Sequence, residues 1–140
     1  LPLLGQGSWM RPSLEWHSTN HASSQVLQRL LPMAEINVAK IAALNDHARH
    51  TFEGCRVVVT RGIQAMADVP EVLDQVRRYN AFTPNNDPYG EHDFGSFTHS
   101  GQTVFWKFDY YDLDITMHSP DPSDPTITAR VLTVMLADEY

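Results

Sequence analysis

The sequence predicts an α+β fold, with a small, mainly antiparallel sheet packed by helices. Three stretches carry that expectation. Residues 34–50 repeat apolar side chains at helical spacing, and Cys55–Thr60 is a short β-branched run of the kind that forms a buried strand. Residues 94–111 break at Ser100-Gly101 into two alternating halves, as a hairpin does. The expected sheet is strand 55–60 plus hairpin 94–111, and the expected helices cover about 34–50, 69–80 and 125–138.

Each element has its own signals. In the first helix Ile36, Ala39, Ala43 and His47 recur at helical spacing, and Ile41, Leu44 and Ala48 widen the apolar face. Phe52 anchors its exit, Gly54 lets the chain turn, and Gly62 closes the strand that follows. Residues 63–66 suit a single helical turn. Asp68 then stands as a cap for the second helix, with Pro70 and Glu71 in its first turn and Arg77 and Arg78 in its last, where a helix favours charges of those signs. Its apolar face is Val69, Val72, Leu73, Val76 and Tyr79.

A two-residue turn at Ser100-Gly101 fixes the hairpin register: His99 faces Gln102, Phe97 faces Val104, Gly95 faces Trp106 and Phe94 faces Lys107. Continued outward, that register sets His92 opposite Asp109. Val104, Trp106, Phe108 and Tyr110 then share the core face, and Gly95 leaves room for the indole across from it. Beyond the hairpin, the prolines at 120, 122 and 125 stiffen an extended loop. Asp124 and Pro125 read as the start of a last helix, with Ile127, Val131, Val134 and Met135 at helical spacing.

With 140 residues, 42% of them hydrophobic, the chain can bury one core. The expected domain spans residues 33–140. Residues 1–32, punctuated by Pro2, Pro12 and Pro32 and nearly devoid of charge, read as a peripheral or poorly ordered extension, with Met33 as a natural start. No apolar run reaches the ~18–20 residues that span a bilayer. A single cysteine, Cys55, suits a reducing cytoplasm and reads as a small buried residue rather than a nucleophile.

The net charge of −7 is unevenly spread. Residues 1–83 hold 7 acids and 8 Lys/Arg, a sum of +1, whereas residues 84–140 hold 10 acids and 2 Lys/Arg, a sum of −8. The acidic half argues against direct nucleic-acid binding through that surface and suits a basic protein partner.

From Ile41 onwards the chain resembles a bacterial family of small proteins of unknown function, common in alphaproteobacteria and often plasmid-borne. The resemblance rests on Ile41-Ala42-Ala43-Leu44-Asn45-Asp46, residues 57–62, residues 82–95 with Asn86-Asp87-Pro88-Tyr89-Gly90-Glu91-His92-Asp93-Phe94-Gly95, residues 105–112 and residues 119–140, above all the tail Arg130-Val131-Leu132-Thr133-Val134-Met135-Leu136-Ala137-Asp138-Glu139-Tyr140. It implies a compact domain in a bacterial cytoplasm. It implies no reaction and no catalytic residue.

No P-loop, paired Cys-x-x-Cys, His-Glu-x-x-His or Gly-x-Ser-x-Gly motif is present. The chemistry-bearing cluster is Glu91, His92, Asp93, Asp109, Asp112 and Asp114. A carboxylate beside an imidazole fixes its tautomer and raises its basicity, so His92, Asp93 and Asp109 are the catalytic candidates. Asp109, Asp112, Asp114 and His92 are the metal-ligand candidates, and a divalent cation is the one cofactor such a set would suit. Tyr89, Glu91 and Tyr111 are the interface candidates, since aromatic groups mixed among acids suit an interface. The same residues also suit plain turn and hairpin roles. The leading expectation is a non-enzymatic interaction or accessory module of a mobile element. The alternative is a metal-dependent hydrolase built on His92 and Asp109, and the lesser alternative is an acidic DNA-mimic antirestriction factor.

Overall fold

The computed structural model describes the backbone from Ser24 to Tyr140 and the side chains from Asn37 onward. The expectation for residues 1–32 lies largely outside the described residues. Helix α1 spans Ser24–Thr51. Strand β1 (Arg56–Val59), the single turn α2 (Arg61–Gln64), helix α3 (Val69–Arg78), strands β2 (Phe94–His99), β3 (Gln102–Tyr111) and β4 (Ala129–Leu136), and a 3-10 turn over Ala137–Glu139 follow. The four strands form one mixed sheet in the order β1-β4-β3-β2. The β1–β4 pair is parallel and the other two pairs are antiparallel. The fold is α+β, as the sequence predicts.

The hairpin register is the expected one over Phe94↔Lys107 to His99↔Gln102. Ser100 (φ 50°) and Gly101 (φ 76°) both adopt the left-handed backbone that a tight turn of this kind demands. Gly95 lies opposite Trp106, and a Cβ there would overlap the indole ring.

The last helix expected, over 125–138, is a strand instead. Residues 129–136 are β4, set between β1 and β3. Arg130, Leu132 and Val134 turn to one face and Val131, Thr133 and Met135 to the other, and all six are buried. A strand covered on both faces reads as a continuous apolar run, which helical spacing matches equally well over so short a length. Asp124 does not cap a helix. Its carboxylate accepts from the Thr126 amide (2.9 Å) and hydroxyl (2.6 Å), closing a local turn.

Helices α1 and α3 pack on the face carrying Val104, Trp106, Phe108, Tyr110, Leu132 and Val134. Val72 and Val76 of α3 are fully buried there, with Val69, Leu73 and Tyr79 beside them, as the periodicity of that helix predicts. Burying each such side chain contributes about 1.5–3 kcal/mol. Asp68 precedes α3 but makes no side-chain cap; its carboxylate takes the His99 imidazole at 2.5 Å, tying the helix start to the hairpin end.

Helix α1 corrects its expected face. Ala39, Ala43 and His47 are exposed, and the buried stripe is Ile41, Asn45, Ala48 and Arg49. Two of these four are polar, which an apolar periodicity cannot reveal. Among the described residues, no helix is long and apolar enough to cross a membrane.

Candidate functional site

Residues 81–95 carry the chain from α3 into the hairpin. Asn86 organises the first bend: its side-chain oxygen accepts from the Thr83 amide (2.8 Å) and its amide group donates to the Ala81 carbonyl (2.8 Å). The Asp87 amide bonds back to Thr83 (2.8 Å), and Gly90, at φ 70°, bonds back to Asp87 (3.1 Å). The first half of the motif is turn chemistry.

At His92 the backbone again turns left-handed (φ 54°), and the ladder expected to pair His92 with Asp109 does not form. The Phe108 amide still donates to the Asp93 carbonyl (2.9 Å), but the His92 side chain swings to helix α1. Its Nδ1 lies 2.9 and 3.0 Å from the two carboxylate oxygens of Asp46, and its Nε2 lies 3.6 Å from Asp87. Phe82 stacks flat on the imidazole at 3.9 Å. His92 is thus held at Nδ1 by Asp46 and on one ring face by Phe82, with Asp87 near its other nitrogen.

Behind it lies a buried polar network that joins helix, motif and sheet. Asn45 donates to the Glu91 carbonyl (3.0 Å) and to the Tyr110 hydroxyl (2.7 Å), and accepts from Arg130 Nε (2.9 Å). Tyr110 donates to Glu91 Oε1 (3.3 Å), and Arg130 also donates to the Pro122 carbonyl. Asn45, Glu91, Tyr110 and Arg130 are all buried. Burial, with Asp93 and Glu91 nearby, holds the Tyr110 hydroxyl well above the ordinary tyrosine range, so it remains a donor. Arg49, one helical turn along from Asn45, donates to the carbonyls of Val76 (3.0 Å), Arg77 (3.1 Å) and Tyr79 (2.7 Å). It thereby satisfies the orphan end of α3 with a cation, the charge that end favours.

The other candidates lie elsewhere. Asp109 pairs with Lys107 at 2.6 Å on the opposite sheet face, where both are buried. Burial pushes Lys107 down and Asp109 up, each opposed by the other's charge. Asp112 lies beyond the strand end, where its carboxylate accepts from the Thr116 amide (2.9 Å) and hydroxyl (3.0 Å). Bonds of this kind, that from the Thr116 amide first, hold its pKa below the ordinary range. Asp114 is exposed on the same loop, and Asp93 is half-buried at the hairpin entry. Of the interface candidates, Glu91 and Tyr111 are buried, Tyr111 stacking on His118, and Tyr89 is half-buried. Burial and the Asp109 charge push the Tyr111 hydroxyl up to about 12. Among the described residues, no group of three or more His, Cys, Asp or Glu side chains is placed to hold a metal ion.

Sequence reasoning missed Asn45, Asp46, Arg49, Phe82 and Arg130. The available signal was the polar pair Asn45 and Arg49, four residues apart on the face that also carries Ile41 and Ala48, where a purely structural helix would place apolar residues.

Comparison with known proteins adds one relationship. No curated protein and no solved structure matches the chain. The family described as "Protein of unknown function (DUF3768)" matches residues 59–139, from the end of β1 through the 3-10 turn. Over more than half its length, therefore, the chain belongs to the DUF3768 family of proteins of unknown function.

Proposed function

We propose that the chain is a non-enzymatic protein-interaction module, an accessory protein of a bacterial mobile element acting in the cytoplasm on a basic protein partner. The bacterial and mobile-element setting comes from the sequence motifs. One structural observation carries the partner's chemistry. The acidic half, residues 84–140, contains two cations, Lys107 and Arg130, and both are buried, at 1% and 4% exposure. That half therefore offers solvent no lysine or arginine, while Asp114, Asp138 and Glu139 are exposed. A surface of one sign steers and holds a partner of the other.

The metal-dependent hydrolase reading would need His92, Asp109, Asp112 and Asp114 to converge. Their side chains are engaged separately, with Asp46, Lys107 and Thr116 as partners of the first three. Selection of a random displayed peptide library on the immobilised protein tests the interaction reading. Enrichment of Lys- and Arg-rich peptides is expected, and an enriched set with no basic bias would count against it.

A further inference from the structure

We infer that the hairpin-like tip between β3 and β4 is the recognition element of this protein, and that it seats in an apolar pocket on a basic protein surface. The inference rests on the interaction reading above and names its contact point. The strand continues past Tyr110 as a short second pairing: Tyr111 bridges to His118, and the Ser119 amide donates to the Tyr110 carbonyl (3.0 Å). The tip, residues 112–117, is closed by the Asp112 amide bonding to the Met117 carbonyl (2.8 Å) and the Ile115 amide bonding to the Asp112 carbonyl (2.9 Å). The Asp112 carboxylate holds Thr116 from inside.

This frame presents two large apolar side chains to solvent. Leu113 is 63% exposed and Met117 is 71% exposed, the two most exposed large hydrophobics among the described residues. The loop is fixed by hydrogen bonds on both sides, so little ordering entropy remains to be lost on binding. Ile115 holds a φ of 57°, a conformation that a β-branched residue adopts only when its surroundings impose it. Methionine and leucine are adaptable apolar anchors.

Charge complementarity specifies the occupant. Asp112 and Asp114 flank Leu113, Asp121 and Asp124 follow in the same connection, and Arg130 is the one cation between residues 108 and 140, where it is buried. An apolar tip in an acidic frame, on a connection that carries no lysine or arginine, fits an apolar pocket rimmed by arginine or lysine. A second copy of this chain would bring acid against acid through the same tip and is disfavoured.

The test uses short synthetic peptides in matched pairs, Arg with Leu against Arg with Ser, titrated into the full chain and into its Leu113→Ser/Met117→Ser variant. Both side chains are largely exposed, so the variant should keep the thermal midpoint of the parent. The wild type is expected to bind the Arg–Leu peptides more tightly, and the double variant to lose roughly tenfold or more of that affinity while binding the Arg–Ser peptides unchanged. Equal binding of both peptide types, unaltered in the variant, would overturn the tip as recognition element and leave the acidic-surface reading standing. Arginine peptides that bind no better than their glutamate counterparts would overturn the reading itself. Concentration-dependent self-association of the wild type, lost in the variant, would overturn the basic partner in favour of a second copy.

Discussion

Asp46 on helix α1 holds the His92 imidazole at 2.9 Å across 46 residues of sequence, and the same carboxylate oxygen takes Arg49 at 3.1 Å. The motif that reads as a surface loop is therefore anchored to the helix. Both His92 and Asp46 are about 30% exposed, so their coupling is moderated by solvent. A double-mutant cycle on Asp46→Asn and His92→Gln is expected to give about 1 kcal/mol of interaction energy in chemical unfolding. Additive single-mutant effects would show that the two merely touch.

Asn45 makes three buried hydrogen bonds between helix α1 and the sheet side of the core. Replacing it with Ala leaves the Tyr110 hydroxyl, the Glu91 carbonyl and Arg130 Nε each short of a buried partner. A loss of about 2–4 kcal/mol in unfolding free energy is expected, from the cost of unsatisfied buried groups. A loss below 1 kcal/mol, on the order of an exposed hydrogen bond, would mean that water enters the network freely.

Gly95 is required by the indole opposite. Gly95→Ala places a methyl group within the fully buried Trp106 ring and should cost about 1–3 kcal/mol or more, with a shifted tryptophan emission. An unchanged thermal midpoint would show that the hairpin can slide to accommodate it.

Glu139 gives the fold an acid limb. Its carboxylate accepts from the Thr60 hydroxyl (2.6 Å), the Leu136 amide (2.8 Å) and the Gly62 amide (2.9 Å), fastening the C-terminal turn to the start of α2. Burial pulls its pKa up, but these bonds outweigh burial and hold it below the ordinary value. The stabilisation is thus complete above the unfolded-state pKa of about 4.3 and is lost as pH falls through the lower folded-state value. Glu139→Gln is expected to cost about 1 kcal/mol at neutral pH and to flatten stability against pH in that acid window. An acid limb equally steep in the variant would assign it to other carboxylates.

Residues whose local chemistry is unambiguous made much of this legible in the sequence. Ser100-Gly101 fixed the hairpin register, Gly95 opposite Trp106 supported it, and Val72 and Val76 marked the buried face of α3. The failures have physical causes. β4 is buried on both faces, so its strand period is hidden. Asn45 and Arg49 are buried because their partners come from residues 27–85 positions away, which no local pattern records. His92 left its expected partner: its φ of 54° turns the chain away, and the ladder stops at Phe94↔Lys107, two positions short of the expected pair. Asp112, expected as a metal ligand, and Asp124, expected as a helix cap, both serve their own loops.

The central claim is that the outer surface of residues 84–140, which exposes acids and no lysine or arginine of its own, binds a basic partner. The most direct measurement is the salt dependence of affinity for a library-selected peptide, between about 0.1 M and 1 M salt, where the screening length falls from about 10 Å to about 3 Å. The account predicts that affinity falls steeply over that range, and less steeply in Asp114→Asn/Asp138→Asn, which neutralises two exposed acids. Binding that is insensitive to salt in both proteins would contradict it.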